Sequence, residues 1–230
     1  MGSSNPMDAP ERSLRLRLAS ESPRRRELLE LTGWDFSTTS SHADETLLSG
    51  EPPFEAARRL ARMKARAVPA EPGEWVLAAD TIVVHAGQIL GKPADGAGAE
   101  AMLFELRGGE HEVVTALTLV EPVSGVMIED VCTTTVPMRD YSPEEVRQYV
   151  ATGSPFDKAG GYGIQETSFH PVRSDEMGGC YANVMGLPLC HLVRAARGLG
   201  YMPPEDVPAA CMNHLNYDCK VYPAILAGDA

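Results

Sequence analysis

The sequence lacks any apolar run approaching the ~20 residues that a membrane-spanning helix needs, so no membrane association is expected. Its first residues, MGSSNPMDAPERS, are polar and have no apolar core of the secretory kind, so residues 1–13 read as a loose leader. Cysteine is sparse and odd in number: five, without framework spacing. That excludes a disulfide scaffold and fits a reducing cytoplasm. Cations are outnumbered, 20 Lys and Arg against 32 Asp and Glu, for a net charge of −12. Binding to a nucleic-acid polymer rests on neutralising phosphates, so no such partner is expected of so acidic a chain. No G-x-S-x-G, P-loop or G-x-G-x-x-G occurs, which leaves the hydrolase-elbow, Walker and Rossmann readings without support. Cys211, His214 and Cys219 lie close together in CMNHLNYDC, but their spacing fits no zinc pattern and a fourth ligand is missing.

What remains is a chain of 230 residues with 43% hydrophobic content, enough for one globular domain with a good core. The few cations are unevenly placed. Residues 1–66 carry 11 Lys and Arg against 10 Asp and Glu; the rest carry 9 against 22. A local basic patch on an acidic body suits a small anion. The densest cluster is in LASESPRRRELLELTG, where Ser22 reads as a helix N-cap, Pro23 as the first helical residue and Gly33 as the stop. Arg24, Arg25 and Arg26 then sit in the first turn, where the helix dipole is already positive. A charge run on a helix is ordinarily a solvated face, and in the free protein these cations are expected to cost stability.

LRLRLAS (Leu14–Ser20) alternates as a half-buried strand running into that helix. A second helix begins near Pro53 and places Ala57, Leu60, Ala61, Lys64 and Val68 on one face, so Lys64 is expected to snorkel from an apolar stripe. WVLAADTIVV (Trp75–Val84) reads as a buried strand. HEVVTALTLVEP and VMIEDVCTTTVPM read as two long strands joined by a turn. SPEEVRQYVATG carries a full helix signature: Ser142 as cap, Pro143 first, Glu145 completing a capping box and Gly153 as stop. A last helix starts near Pro188. From Tyr201 on, Pro and Ala without periodicity predict an irregular C-terminal extension, 201–230. Strands interleaved with helices and hairpins predict an α/β (α+β) domain over 14–200, with a mixed twisted sheet flanked by helices.

Asp80 stands out as a carboxylate on an apolar strand, which is costly unless it is paired, metal-bound or catalytic; the alternative is an Asp capping a turn. Lys64, Lys92 (GKPAD) and Lys158 (DKAG) are further cations beside apolar or glycine-rich sequence. Together with the arginines and an acidic residue able to hold a metal, they point to a polyphosphate site. The glycines of AGGYGIQ permit close backbone approach to a ligand, and Gln165 offers both a donor and an acceptor to a base edge.

The blocks LASESPRRRELL, AADTIVV, GKPAD, YVATGSPFDKAGGYGIQ and NVMGLPL occur in the order found in the Maf family of nucleoside triphosphate pyrophosphatases, and the resemblance spans roughly Leu16 to Leu199. It implies a fold related to the inosine triphosphate pyrophosphatases, a homodimer, and metal-dependent (Mg²⁺ or Mn²⁺) hydrolysis of a nucleotide to its monophosphate and pyrophosphate. Residue by residue, it implies that Asp80 is the proton acceptor and that Arg24, Thr81 and Gln165 set specificity. It implies that Ser20, Arg25, Lys64, Lys92 and Lys158 meet phosphate, and that Glu45 and Asp80 hold the metal. SPRR, ADT and YGIQ resemble the dTTP/UTP subgroup rather than the 7-methyl-GTP one. One stretch departs from the pattern: after Gln165 the family continues with a short apolar segment, whereas ETSFHPVRSDEMGGCYANVMGLP is polar and broken by proline. Two other readings stay open, a house-cleaning enzyme for modified nucleotides and a nucleotide-binding regulator of cell division without catalysis.

Overall fold

The computed structural model describes residues 14–229; the N-terminal leader expected for residues 1–13 lies outside them. The chain enters as β1 (Leu16–Ala19), α1 (Pro23–Glu30), β2 (Phe36–Thr39), α2 (Pro53–Arg66), β3 (Trp75–His85) and β4 (Gln88–Leu90). It continues as α3 (Gly96–Leu106), β5 (Glu110–Val120), β6 (Met127–Pro137) and α4 (Pro143–Ala151). Then come two 3-10 turns (Ser154–Asp157 and Ala159–Gly161), α5 (Tyr181–Met185), α6 (Leu189–Gly198), α7 (Val207–Leu215) and α8 (Tyr222–Ala227). The six strands form one mixed sheet in the order β2-β1-β3-β5-β6, with β4 paired to β3. β1 runs parallel to β2 and β3; the β3–β4, β3–β5 and β5–β6 pairs are antiparallel.

Strand alternation distributes β3 between two layers. Val76, Ala78, Ile82 and Val84 pack with alanines of α2, while Leu77 and Ala79 pack with Leu28 and Leu29 of α1 and with α6. The register leaves a gap in the sheet. β1 pairs with β3 only through Leu77, and β4 takes up pairing at Val83, so the stretch between has a partner strand on its β5 side alone. Asp80 and Thr81 lie in that gap and point to opposite faces.

α4 forms with its capping box as the sequence predicts: Glu145 N donates to Ser142 Oγ at 3.2 Å and Ser142 N to Glu145 Oε2 at 2.8 Å. The bond from Ser142 N, with those from the Arg139 and Ser142 side chains, pulls the Glu145 carboxyl down to about 2. The stretch after Tyr201 corrects the expectation of irregular chain. α7 is capped by Asp206, whose carboxylate accepts from Ala209 N at 3.3 Å, and ends on Asn216 in the left-handed region; α8 follows. Helices of two turns are too short for a periodic stripe to register, and here tertiary anchors hold them. Val207 and Ile225 are buried, Trp34 Nε1 donates to Met202 O at 3.3 Å, and His214 Nε2 lies 2.6 Å from Glu27 Oε1 on α1. The polar stretch after Gln165 is woven in as well. Val172 and Gly178 make β-bridges to Met138 and Thr135, and Phe169 is buried, stacked on Tyr149. No helix among the described residues is long and apolar enough to cross a membrane.

Candidate active site

A cleft of about 720 Å³ opens over the gap beside β3, between the end of β1, the first turn of α1, the loop before α2 and the glycine-rich segment after α4. Every residue that the family resemblance assigns to the site lines it: Ser20, Arg24, Arg25, Glu45, Lys64, Asp80, Thr81, Lys92, Lys158 and Gln165; Arg26 does not.

Asp80 faces α2. Lys64, on the buried face of that helix, places its ammonium 2.7 Å from Asp80 Oδ1 and 2.8 Å from Glu45 Oε2. Lys64 therefore does not snorkel to water, because its charge finds two carboxylates first. Both side chains of the Lys64–Asp80 pair are 8% exposed, whereas Glu45 is 60% exposed at the cleft rim. The pairing removes the cost of a lone buried carboxylate.

Thr81 faces the other way. Its Oγ1 lies 3.0 Å from Thr115 Oγ1 and accepts from Arg25 Nη2 at 3.1 Å. Arg25 Nε donates to Gly186 O at 2.8 Å and Nη1 to Ser20 Oγ at 3.4 Å. Burial lowers the Arg25 pKa, opposed by the fields of Asp80 and Glu45. The three arginines thus have separate fates, and the expectation of a shared helix-end penalty is corrected for Arg25. Its side chain turns off the helix axis onto three protein acceptors. Arg24 lies 3.8 Å from Asp157, and Arg26 is exposed.

Gly186, the C-cap of α5, has φ +106°, and a Cβ there would stand 3.2 Å from Thr81 Oγ1 and 3.3 Å from Arg25 Nε. α5 is itself pinned to the sheet by Asn183, whose Nδ2 donates to Val113 O and Thr134 Oγ1, each at 2.9 Å. Sequence reasoning missed Gly186, Asn183 and Thr115 as supports of Arg25. The signal was the NVMG run, an Asn and a Gly on either side of two apolar residues, in which the groups that matter are a carbonyl and a glycine rather than a reactive side chain.

Lys158 differs from the other cations. Its Nζ donates to Ser154 O and Asp157 Oδ1, each at 2.6 Å, and lies 3.4 Å from Glu166 Oε1. Lys92 is exposed at the cleft edge. Deeper in the wall, Tyr162 fixes its hydroxyl 2.6 Å from His111 Nε2, and burial pushes the His111 pKa down to about 4. Among the described residues, no group of three or more His, Cys, Asp and Glu is placed to hold a metal by itself.

The fold and the site together define a mixed-sheet domain with a highly charged cleft over a strand gap, lined by five Lys and Arg side chains and five Asp and Glu side chains. Residues 15–199 match the family described as Maf-like protein, and the chain belongs to the Maf family. It is 47% identical over 184 residues to a dTTP/UTP pyrophosphatase of Geotalea uraniireducens (strain Rf4), covering 80% of this chain and 94% of that one. It is 49% identical over 183 residues to a dTTP/UTP pyrophosphatase of Salinibacter ruber (strain DSM 13855 / M31), covering 79% and 89%. A solved HAM1 protein from Coxiella burnetii aligns with TM-score 0.41 and 15% identity, over 69% of this chain and 80% of that one.

Proposed function

We propose that this chain hydrolyses nucleoside triphosphates, with dTTP and UTP preferred, to the monophosphate and pyrophosphate. The observation that carries the reading is the Lys64–Asp80 pair at 2.7 Å in a cleft that also gathers Arg24, Arg25, Lys92 and Lys158. The two curated relatives act, by name, on dTTP and UTP, and most of each is matched by this chain.

In this reading Asp80 orients a water and accepts its proton as the water oxygen attacks the α-phosphorus and the bond to the bridging oxygen breaks. Lys64 holds Asp80 in place through the 2.7 Å ion pair. Arg25, fixed by Gly186 and Thr81, and Arg24, Lys92 and Ser20 receive the phosphates and stabilise the charge that gathers on departing pyrophosphate. Lys158 joins them from within its own carboxylate pair. Gln165 meets the carbonyl and N–H of a thymine or uracil edge, with Arg24 and Thr81 completing the selection.

The donor set fits a divalent cation that arrives with its substrate. Asp80 and Glu45 supply two carboxylates through one shared lysine, and Mg²⁺ is usually held by one or two carboxylates plus phosphates and water. When bound there, Mg²⁺ or Mn²⁺ offsets phosphate charge and polarises the phosphoryl oxygens. The five cysteines are all unpaired, which supports placement in a reducing cytoplasm. The assembly we propose is a homodimer, tested by light scattering.

The deciding experiment is a nucleotide panel assayed for pyrophosphate, with and without metal. Release of pyrophosphate from dTTP and UTP supports the reading. Tight nucleotide binding without turnover in the metal-replete protein would replace it with a non-catalytic role.

A further inference from the structure

We propose that Glu166 is the residue that positions Gln165, so that the carboxylate, without itself meeting the base, sets how strictly the base is chosen. The proposal rests on the reading of Gln165 given above. Glu166 N donates to Gly163 O at 3.3 Å, closing a tight turn with Ile164 and Gln165 at its corner. Gln165 is exposed at that corner and lines the cleft. A corner of this kind is a poor platform for reading a base unless its ends are held.

Both ends are held. On one side Tyr181 OH donates to Ile164 O at 3.3 Å. On the other, Glu166 Oε1 accepts from Ser154 Oγ at 2.5 Å and from Tyr149 OH at 3.4 Å, with Lys158 Nζ also at 3.4 Å. Tyr149 lies on α4 and Ser154 on the first 3-10 turn, so one carboxylate oxygen ties the corner to a regular helix. The packing is close at Gly163: a Cβ there would stand 3.1 Å from Lys158 Cε and 3.2 Å from Glu166 Oε1, so both side chains would have to shift by a few tenths of an ångström. The Glu166 side chain is only 20% exposed. With Ser154, Tyr149 and Lys158 all on the same oxygen, it is fixed in place before any nucleotide binds.

The test is a double-mutant cycle read as selectivity, the ratio of kcat/KM for dTTP to that for dCTP, on variants shown folded by circular dichroism. E166A is expected to lower the ratio about tenfold. In a Q165A background it should lower it no further, because the turn then carries nothing to place. E166Q keeps an amide oxygen for Ser154 and Tyr149 and should retain most of the selectivity. Additive losses, or an E166A ratio equal to wild type while Q165A lowers it, overturn the proposal and leave Gln165 as the base contact. Equal losses in E166Q and E166A also overturn it, by assigning the effect to charge on Lys158. An unchanged ratio in Q165A overturns both the proposal and the reading beneath it. Should E166A fail to fold, S154A removes the 2.5 Å bond, together with the 3.0 Å bond that the same hydroxyl accepts from Lys158 Nζ, and is read in the same cycle as a ratio between nucleotides.

Discussion

Lys64 and Asp80 form a buried ion pair that crosses from helix to sheet, with 2.7 Å between Nζ and Oδ1. Its two members carry different burdens. Asp80 is the proposed proton acceptor, and Lys64 keeps that carboxylate tolerable on an apolar strand. Asp80→Asn is therefore expected to fold with Lys64 still paired to Glu45, and to lose ~10²–10⁴-fold in kcat. Near-normal turnover in the folded, metal-saturated variant would remove Asp80 from the mechanism.

Removing the other partner should hurt the fold. Lys64→Met leaves a buried carboxylate unpaired, which costs about 3–5 kcal/mol in comparable pairs. Denaturant unfolding checks this, with the double variant Lys64→Met/Asp80→Asn expected to regain most of the loss. If the single and double variants unfold alike, the pair is not the reason for the tolerance.

How these residues meet shows what the sequence conveyed and what it withheld. The helical spacing that puts Lys64 among Ala57, Leu60 and Ala61 was legible, as was the apolar strand that makes Asp80 conspicuous. Their contact was not, because no local pattern states which face of β3 receives α2. The gap between β1 and β4, which opens the strand to a ligand, is likewise a property of register. The helices after Tyr201 escaped notice because two-turn helices are held by partners distant in sequence: Val207 by the core and His214 by Glu27. Arg25 does line the cleft, but it is not the unsatisfied cation that its place in the first turn of a helix suggests. Its acceptors Gly186 and Thr81 lie 161 and 56 residues away along the chain.

Those acceptors reverse the expected effect on stability. Arg25→Ala forfeits bonds to Gly186 O, Thr81 Oγ1 and Ser20 Oγ, so its melting temperature without nucleotide should fall rather than rise. KM for dTTP should rise about ten- to a hundredfold, the usual scale for losing a charged hydrogen bond. Gly186→Ala reaches the same guanidinium from behind. A side chain at φ +106° is strained at a cost of about 1–3 kcal/mol, and its Cβ crowds Thr81 and Arg25. Calorimetry and initial rates should show both defects together; a KM left at the wild-type value in Gly186→Ala would detach the α5 cap from the phosphate site.

His111 gives stability a pH slope. Burial, with a smaller contribution from His85, lowers its pKa from 6.5 to about 4. The unfolded chain then binds the extra proton between those values, so this group's contribution is intact above pH 6.5 and is lost as pH falls toward 4. At 1.36 kcal/mol per unit the loss is on the order of 3 kcal/mol. His111→Phe keeps a ring beside Tyr162 and should flatten the difference in unfolding free energy across that window relative to wild type. Parallel curves for the two proteins from pH 6.5 to 4 would contradict the assignment.

The last prediction concerns the base and the bond. Gln165 offers one acceptor and one donor, which match the N–H and a carbonyl of thymine or uracil. A site built for that pattern leaves its polar groups unpaired when another base enters, and such mismatches can be rejected by large factors. dTTP and UTP should therefore be turned over well, and ATP and 7-methyl-GTP poorly. Because the attack is placed at the α-phosphorus, the product must be pyrophosphate, and with ¹⁸O-labelled water the label must appear in the monophosphate. Label in the released phosphate, or orthophosphate as the first product in the rigorous absence of contaminating pyrophosphatase, would move the reaction to another phosphorus. Chelation should abolish turnover and Mg²⁺ or Mn²⁺ restore it, with Glu45→Gln shifting the restoring concentration upward. A metal requirement unchanged by Glu45→Gln would leave Asp80 and the substrate phosphates to hold the ion without it. A preference for 7-methyl-GTP would preserve the chemistry and direct attention to the turn that Glu166 closes.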